Sequence, residues 1–222
     1  MTTPILYAHP FSSYSQKAFI AFHEKDVPYE LRLLEPSNPQ AGAELAALWP
    51  LGKFPVLRVG DLALWEATIV VEWLDQAHPD PARLIPRDPD AALQVRMFDR
   101  IFDNYVMNMM QVIVNNRIRA MQSNPRDEYG EVQARAALDK VYAWLDGELA
   151  GRTWATGDAF TLADCAAAPS LFYADWVHPF DDRPNLRAYY RRLRERPSVD
   201  RAVEGGRPYR HYFPGGAPAD RD

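Results

Sequence analysis

A proline at the mouth of a strand constrains this chain more than any other residue. In Trp49-Pro50-Leu51-Gly52-Lys53-Phe54-Pro55-Val56-Leu57, Pro50 and Gly52 supply a turn. The apolar run Val56 to Val59 follows, is broken by Gly60-Asp61, and resumes as Leu62-Ala63-Leu64. Loop, strand, tight turn and strand read as a hairpin. Pro55 has no N–H to give a ladder, so it needs a special position. One solution is a cis Phe54-Pro55 bond that turns the Phe54 backbone out of the sheet, free to pair with an extended peptide. The other is an ordinary trans proline opening an edge strand.

The segments around the hairpin give it neighbours. Ile5-Leu6-Tyr7-Ala8 reads as a short strand, and His9-Pro10-Phe11-Ser12-Ser13 breaks it. From about Ser13 to Glu24, Ala18, Phe19, Ala21 and Phe22 recur at helical spacing. Tyr29 to Leu34 alternates as a strand. Pro36, Asn38 and Pro39 make a loop before a short helix from Gly42 to Leu48. After the hairpin, Glu66-Ala67-Thr68 opens an apolar helix that runs to about Gln76. The order is β-α-β-α-β-β-α. A right-handed crossover makes the first two strands parallel, and the last pair is antiparallel.

Prolines 79, 81, 86 and 89 then punctuate the chain, and beyond them the pattern is helical throughout. This divides it into an α/β domain over residues 1–80, a linker at 81–87 and an all-α domain over 88–222. A long helix is predicted from about Asp90 to Met121, with Phe98, Ile101, Phe102, Tyr105, Met109, Val112 and Ile113 as its apolar stripe. A second runs from about Glu131 to Leu149 and stops at Gly151, a natural C-terminal cap. Thr161 and Asp164 form a Thr-x-x-Asp capping box for a third. Pro184 to Arg196 and Ser198 to Val203 are two more. The Gly- and Pro-rich segment from Pro208 to Asp222 is expected to be loose.

Composition removes several classes of function. Of 222 residues 47% are hydrophobic, enough for a real core. A net charge of −5 favours neither nucleic acid nor an anionic membrane. The single cysteine, Cys165, excludes a disulfide framework and any Cys-x-x-Cys redox or zinc motif, and no metal site is read. No stretch reaches the ~20 apolar residues of a membrane span. The N-terminus lacks a basic-then-apolar signal pattern, so a cytoplasmic protein is expected.

The pattern Asn/Trp-Pro-x-Gly-Lys-x-Pro-x-Leu followed by Glu-Ser-x-x-Ile-x-x-Tyr-Leu belongs to the soluble glutathione S-transferases. Residues Trp49 to Leu57 and Glu66-Ala67-Thr68-Ile69-Val70-Val71-Glu72-Trp73-Leu74 resemble it at the same spacing. The resemblance covers nearly the whole chain. It implies a thioredoxin-like domain, a linker, an all-α domain and a homodimer. It also implies a cis Phe54-Pro55 bond, glutathione as co-substrate and transfer of its thiolate to a small electrophile. One site residue departs: the family's serine is Ala67.

The resemblance also distributes roles. Phe54 and Pro55 present backbone to the cysteinyl part, and Lys53 and Gln40 hold the glycyl carboxylate. The γ-glutamyl end sits at the helix start with Glu66 and the Ala67 N–H, since a helix N-terminus binds carboxylate. Thr68 is adjacent and able to replace the lost hydroxyl. Ser-Ser-Tyr-Ser at 12–15 resembles the serine-type families, which points to Ser12 as thiolate donor; Ser13 is then the helix cap. Tyr7, at the end of the first strand, is the rival donor. Tyr105 and Met109 are assigned to the electrophile's wall, with Met110, Tyr209 and Tyr212 as further candidates, while Asn108 has no assigned place. Two other readings stay open: a glutathione-dependent isomerase or peroxidase, and a non-catalytic binding protein. The isomerase site carries Ser-Ser-Cys where this chain has Tyr14.

Overall fold

The computed structural model describes residues 2–81 and 83–221. Its first part is β1 (Ile5–Ala8), α1 (Ser13–Lys25), β2 (Glu30–Leu33), α2 (Pro39–Leu48), β3 (Val56–Val59), β4 (Leu62–Trp65) and α3 (Ala67–Ala77). The sheet order is β2-β1-β3-β4. β1 and β2 are parallel, with Ile5 opposite Glu30. β3 runs antiparallel to β1, Leu57 opposite Leu6, and β4 antiparallel to β3, Trp65 opposite Val56. Gly60 turns the hairpin at φ +59°, where a Cβ is disfavoured. The Phe54-Pro55 bond is cis, as is Asp80-Pro81. This is the thioredoxin-like arrangement the sequence implied, followed by an all-helical domain.

The helical part comprises α4 (Pro89–Ile101), a π-helical segment (Phe102–Met107), α5 (Asn108–Met121), α6 (Glu128–Glu148), α7 (Leu162–Val177), α8 (Pro184–Arg194), α9 (Pro197–Gly206) and a 3-10 turn (Arg207–Tyr212). Every residue of α7 is buried, as a helix apolar on all sides requires. Its start is the expected capping box: Thr161 and Asp164 bond each other's backbone. Asp164 also accepts from Ala155 N–H at 2.8 Å and Tyr189 O–H at 2.6 Å. Cys165 lies one residue on, fully buried, and burial pushes its thiol well above the usual value.

α1 is sandwiched between the two parts. Ala18, Phe19 and Phe22 join the same core as Val70, Val71 and Leu74 of α3 and Ala166 and Leu171 of α7. Fully burying one such Leu or Phe contributes about 1.5–3 kcal/mol. Among these apolar groups sits an ionic cluster. Lys17 Nζ reaches Asp99 Oδ1 at 2.5 Å, Asp103 Oδ2 at 2.7 Å and Thr68 Oγ1 at 2.8 Å. The Lys17 and Asp99 side chains are 0% exposed. Arg100 bonds both aspartates and Thr68 from the rim. One lysine thus ties α1 and α3 to the helical part.

Four expectations need correction. α2 begins at Pro39, not Gly42: Asn38 accepts from Ala41 N–H at 3.4 Å, and a proline fits the first helical position because its missing N–H is not needed. α6 begins at Glu128, three residues early, because Asp127 caps Gly130 N–H at 2.8 Å. The long helix is not uniformly α. Its buried positions Phe98, Phe102, Val106, Met110 and Val114 recur every four residues across the π segment. An α-helix turns every ~3.6, so over three turns the buried face slips by about one residue. That slip leaves Tyr105 58% exposed and buries Val106 and Met110 instead. Finally, the segment after α9 is fastened: Phe213 is buried, and Arg221 makes ion pairs with Asp175 and Asp181.

Candidate functional site

Two depressions meet at Tyr14. The first, of about 330 Å3, lies between the end of β3's loop, the start of α3 and the π segment. Trp49, Lys53, Phe54 and Pro55 line it from the loop, Glu66 and Ala67 from α3, and Arg100, Asp103, Asn104 and Asn108 from the helical part. Trp49 is held by stacking on Trp65, with centroids 5.1 Å apart.

The start of α3 is built to receive an anion. Glu66 precedes it at φ 71°, a left-handed conformation that costs a side-chain-bearing residue about 1–2 kcal/mol. Among the three non-glycine residues described at positive φ, only Glu66 lines either depression. No side chain caps α3, so the N–H groups of its first turn have no intrahelical acceptor and carry the helix's partial positive charge. Thr68 does not replace the missing serine. Its hydroxyl is drawn beneath the site, between Lys17 and Asp99.

Cations and carboxylates both line this cleft. Lys53 and Arg100 stand with Glu66 and Asp103. Asp103 directs Oδ2 at Lys17 and Arg100, while its buried Oδ1 has no partner among the described residues. A molecule with two carboxylates and one ammonium matches this donor set.

The second depression, of about 280 Å3, is mainly apolar. Ser12 and Ser13 reach it from the head of α1, Met110, Val114 and Ile118 from α5, and Tyr173 from α7. Tyr212, Phe213 and Pro214 close its outer side. Among the described residues Tyr14 alone lines both. Its hydroxyl donates to Asn108 Oδ1 at 2.9 Å. Burial, and then the charge of Asp103, push its phenol up to about 12, so it is a neutral hydroxyl at any ordinary pH.

The head of α1 assigns the serines differently from expectation. Ser12, not Ser13, is the N-cap, with Oγ accepting from Ser15 N–H at 3.4 Å. Ser13 is buried as the first helical residue. The capping bond uses an oxygen lone pair and leaves the Ser12 hydroxyl hydrogen to donate elsewhere. Tyr7 lines neither depression: it is 1% exposed, packs in one cluster with Trp49 and Phe54, and donates to Glu44 Oε2 at 2.9 Å. Burial and that bond raise its phenol further.

Of the other expected residues, Lys53, Phe54, Pro55, Glu66 and Ala67 come together in the first depression. Gln40 does not join them: it is exposed on α2 and donates to Glu44. Tyr105 and Met109 line neither space, because the π segment turns their positions away and presents Asn108 and Met110. Of the further candidates Met110 and Tyr212 do line the second, and Tyr209 lines neither. The sequence reading missed Tyr14, Arg100 and Asp103. Tyr14 was visible only as a departure from Ser-Ser-Cys; the charged pair carried no local signal.

Two family models match this chain. Glutathione S-transferase, N-terminal domain, covers residues 6–82, and Glutathione S-transferase, C-terminal domain, covers 111–192. The glutathione S-transferase GstB of Escherichia coli K12 is 29% identical over 192 residues, spanning 85% of this chain and 91% of its own. The glutathione S-transferase-like protein LUC7 of a Fusarium species is 32% identical over 162 residues, 70% of this chain and 72% of its own. A maleylacetoacetate isomerase of Rattus norvegicus is 25% identical over 78% of each chain. Among solved structures, a glutathione S-transferase of Methylobacterium radiotolerans in complex with glutathione sulfonate superposes with a TM-score of 0.77 at 30% identity, over 91% of this chain and 95% of that one.

Proposed function

The chain belongs to the glutathione S-transferase family, and on that premise we propose that it is a transferase that joins glutathione to a small electrophile. The observation that carries the reading is the pair of depressions sharing the Tyr14 wall. One has the charges for a peptide with two carboxylates and an ammonium; the other is apolar. In this reading the first turn of α3, with Ala67 N–H, takes the γ-glutamyl carboxylate. Glu66 and Asp103 face the ammonium, Lys53 takes the glycyl carboxylate, and the Phe54 backbone pairs with the cysteinyl unit.

Ser12 is the proposed thiolate donor. A free thiol has a pKa of about 8.5, lowered at a helix N-terminus. A hydroxyl donating to sulfur lowers it further, because the bond favours the charged form. Ser12 sits at the head of α1 beside the apolar depression, where an electrophile would be held. The sulfur lone pair forms the new bond to carbon, and the leaving group or displaced π pair departs on the electrophile's side.

We further propose a homodimer acting in the cytoplasm as a detoxification enzyme, with residues 1–80 and 88–222 as its domains. Trp65, Ile69, Leu93 and Met97 are exposed apolar side chains on β4, α3 and α4, and Arg96 pairs with Glu72 to join those two helices. Among the described residues no helix is long and apolar enough to cross a membrane.

Calorimetric titration with glutathione, followed by turnover against an electrophile panel, tests the function. Maleylacetoacetate belongs in the panel because isomerases are among the relatives. Saturable glutathione binding with conjugate formation is the expected outcome. Absence of binding at millimolar glutathione overturns the proposal; binding with no turnover leaves a binding protein.

A further inference from the structure

We infer that Arg221 is the latch of a strap that forms the outer wall of the apolar depression, and so sets which electrophiles fit. The inference rests on the proposed function for the word electrophile, but the strap is a feature of the fold.

The strap has three parts in sequence. Tyr212, Phe213 and Pro214 are the wall. Phe213 is buried against Trp176, centroids 4.9 Å apart and edge-on, and parallel to Tyr173 at 6.3 Å. Gly215 and Gly216 follow at φ +80° and +87°. Two adjacent glycines are a joint with few steric limits, so packing of the wall is not transmitted rigidly to what comes after.

The third part is the fastening. Arg221 Nη1 donates to Asp175 Oδ1 at 3.0 Å, and Nη2 to Asp181 Oδ2 at 2.5 Å. Its carbonyl accepts from Trp176 Nε1–H at 2.8 Å. Trp176 is therefore held at one edge by Arg221 and packs the wall with its ring. Loosening the latch removes one hold on the indole that supports Phe213, which keeps its packing on Phe172 and Tyr173.

The charges around the latch explain why it can open without unfolding. Asp175 is buried, yet it does not depend on Arg221. Arg187 also holds it, at 2.7 and 3.1 Å, and reaches Asp181 at 2.5 Å. Removing Arg221 leaves both carboxylates with a cation. Asp181 is 61% exposed, so its pair with Arg221 is open to screening by salt. Pro214 has a second, weaker hold, Arg117 Nη1 to its carbonyl at 3.4 Å.

The test compares wild type with Arg221→Gln and Arg221→Lys. Hydrogen exchange of amides 213–221 is read first. Arg221→Gln is expected to speed it about two- to tenfold, the range for loss of two partly exposed ion pairs, with Arg221→Lys restoring most of the protection. In wild type, 1 M NaCl is expected to reproduce part of the effect, by screening the Asp181 pair; in Arg221→Gln it adds nothing. The uncharged dye Nile red, which needs only an apolar cavity, is expected to bind with a changed Kd in the glutamine variant alone. With a turned-over electrophile, its KM moves by a similar factor while kcat and the KM for glutathione do not. Unchanged exchange and dye binding in Arg221→Gln overturn the latch. Failure to bind glutathione overturns the proposed function instead, and leaves the exchange and dye results to decide the latch.

Discussion

Tyr14 on α1 and Asn108 on α5 are joined by a 2.9 Å hydrogen bond, 94 residues apart in the chain. The bond holds the shared wall of both depressions to the helical part. Each space is therefore shaped by both parts of the molecule, and chemistry between them depends on how they are clamped.

Ser12→Ala should raise the pKa of bound glutathione and cut turnover at neutral pH about tenfold to a hundredfold, the loss of one charge-assisted hydrogen bond of roughly 1.5–3 kcal/mol. Glutathione affinity should change far less. Tyr7→Phe should leave the thiol titration unmoved, because that hydroxyl is spent on Glu44. Thiolate absorbance against pH reads both variants. A shift in Tyr7→Phe alone would reverse the assignment.

Ala67→Ser should tighten glutathione binding by on the order of 1 kcal/mol, by returning a hydroxyl to the first turn of α3. Thr68 is already occupied by Lys17 and Asp99, so it does not mask the gain. Calorimetry on the two proteins decides it, and equal Kd values would mean that another donor serves the carboxylate.

Lys17→Met should cost about 3–5 kcal/mol, since it strips the cation from two buried aspartates. Arg100 remains, but it approaches from the rim. The loss should appear as a lower urea midpoint at unchanged slope. A change below 1 kcal/mol would show that Arg100 alone neutralises the pair.

Light scattering at micromolar concentration should give twice the 25.3 kDa chain mass. Met97→Glu, on the exposed apolar face of α4, should shift the mass toward one chain. A wild-type mass near 25 kDa would remove the dimer outright.

The sequence exposed the fold well because its signals are local. Pro50, Gly52 and Gly60 mark turns by backbone chemistry, and Thr161 with Asp164 marks a helix start by a bond three residues long. The loop from Trp49 to Pro55 that lines the first depression was legible for the same reason. What was hidden lies in pairs distant in sequence. Nothing near Arg221 announces Asp175, and nothing near Lys17 announces Asp99. Tyr105 and Met109 failed differently: the stripe was read at the α period, and the π segment is not at that period.

The π segment also gives the long helix one residue of slack. In an α-helix each residue advances about 100° around the axis, and a π turn amounts to one residue added. A single deletion between Phe102 and Met107 would let the whole run from Pro89 to Met121 close as continuous α-helix. Five α residues sweep nearly the angle of six π residues, so Asn108, Met110, Val114 and Ile118 would keep their faces and Asn108 its place opposite Tyr14. A deletion within α5 itself finds no such slack and would swing the residues beyond it by that angle, out of the apolar depression, while circular dichroism still reported a healthy helix.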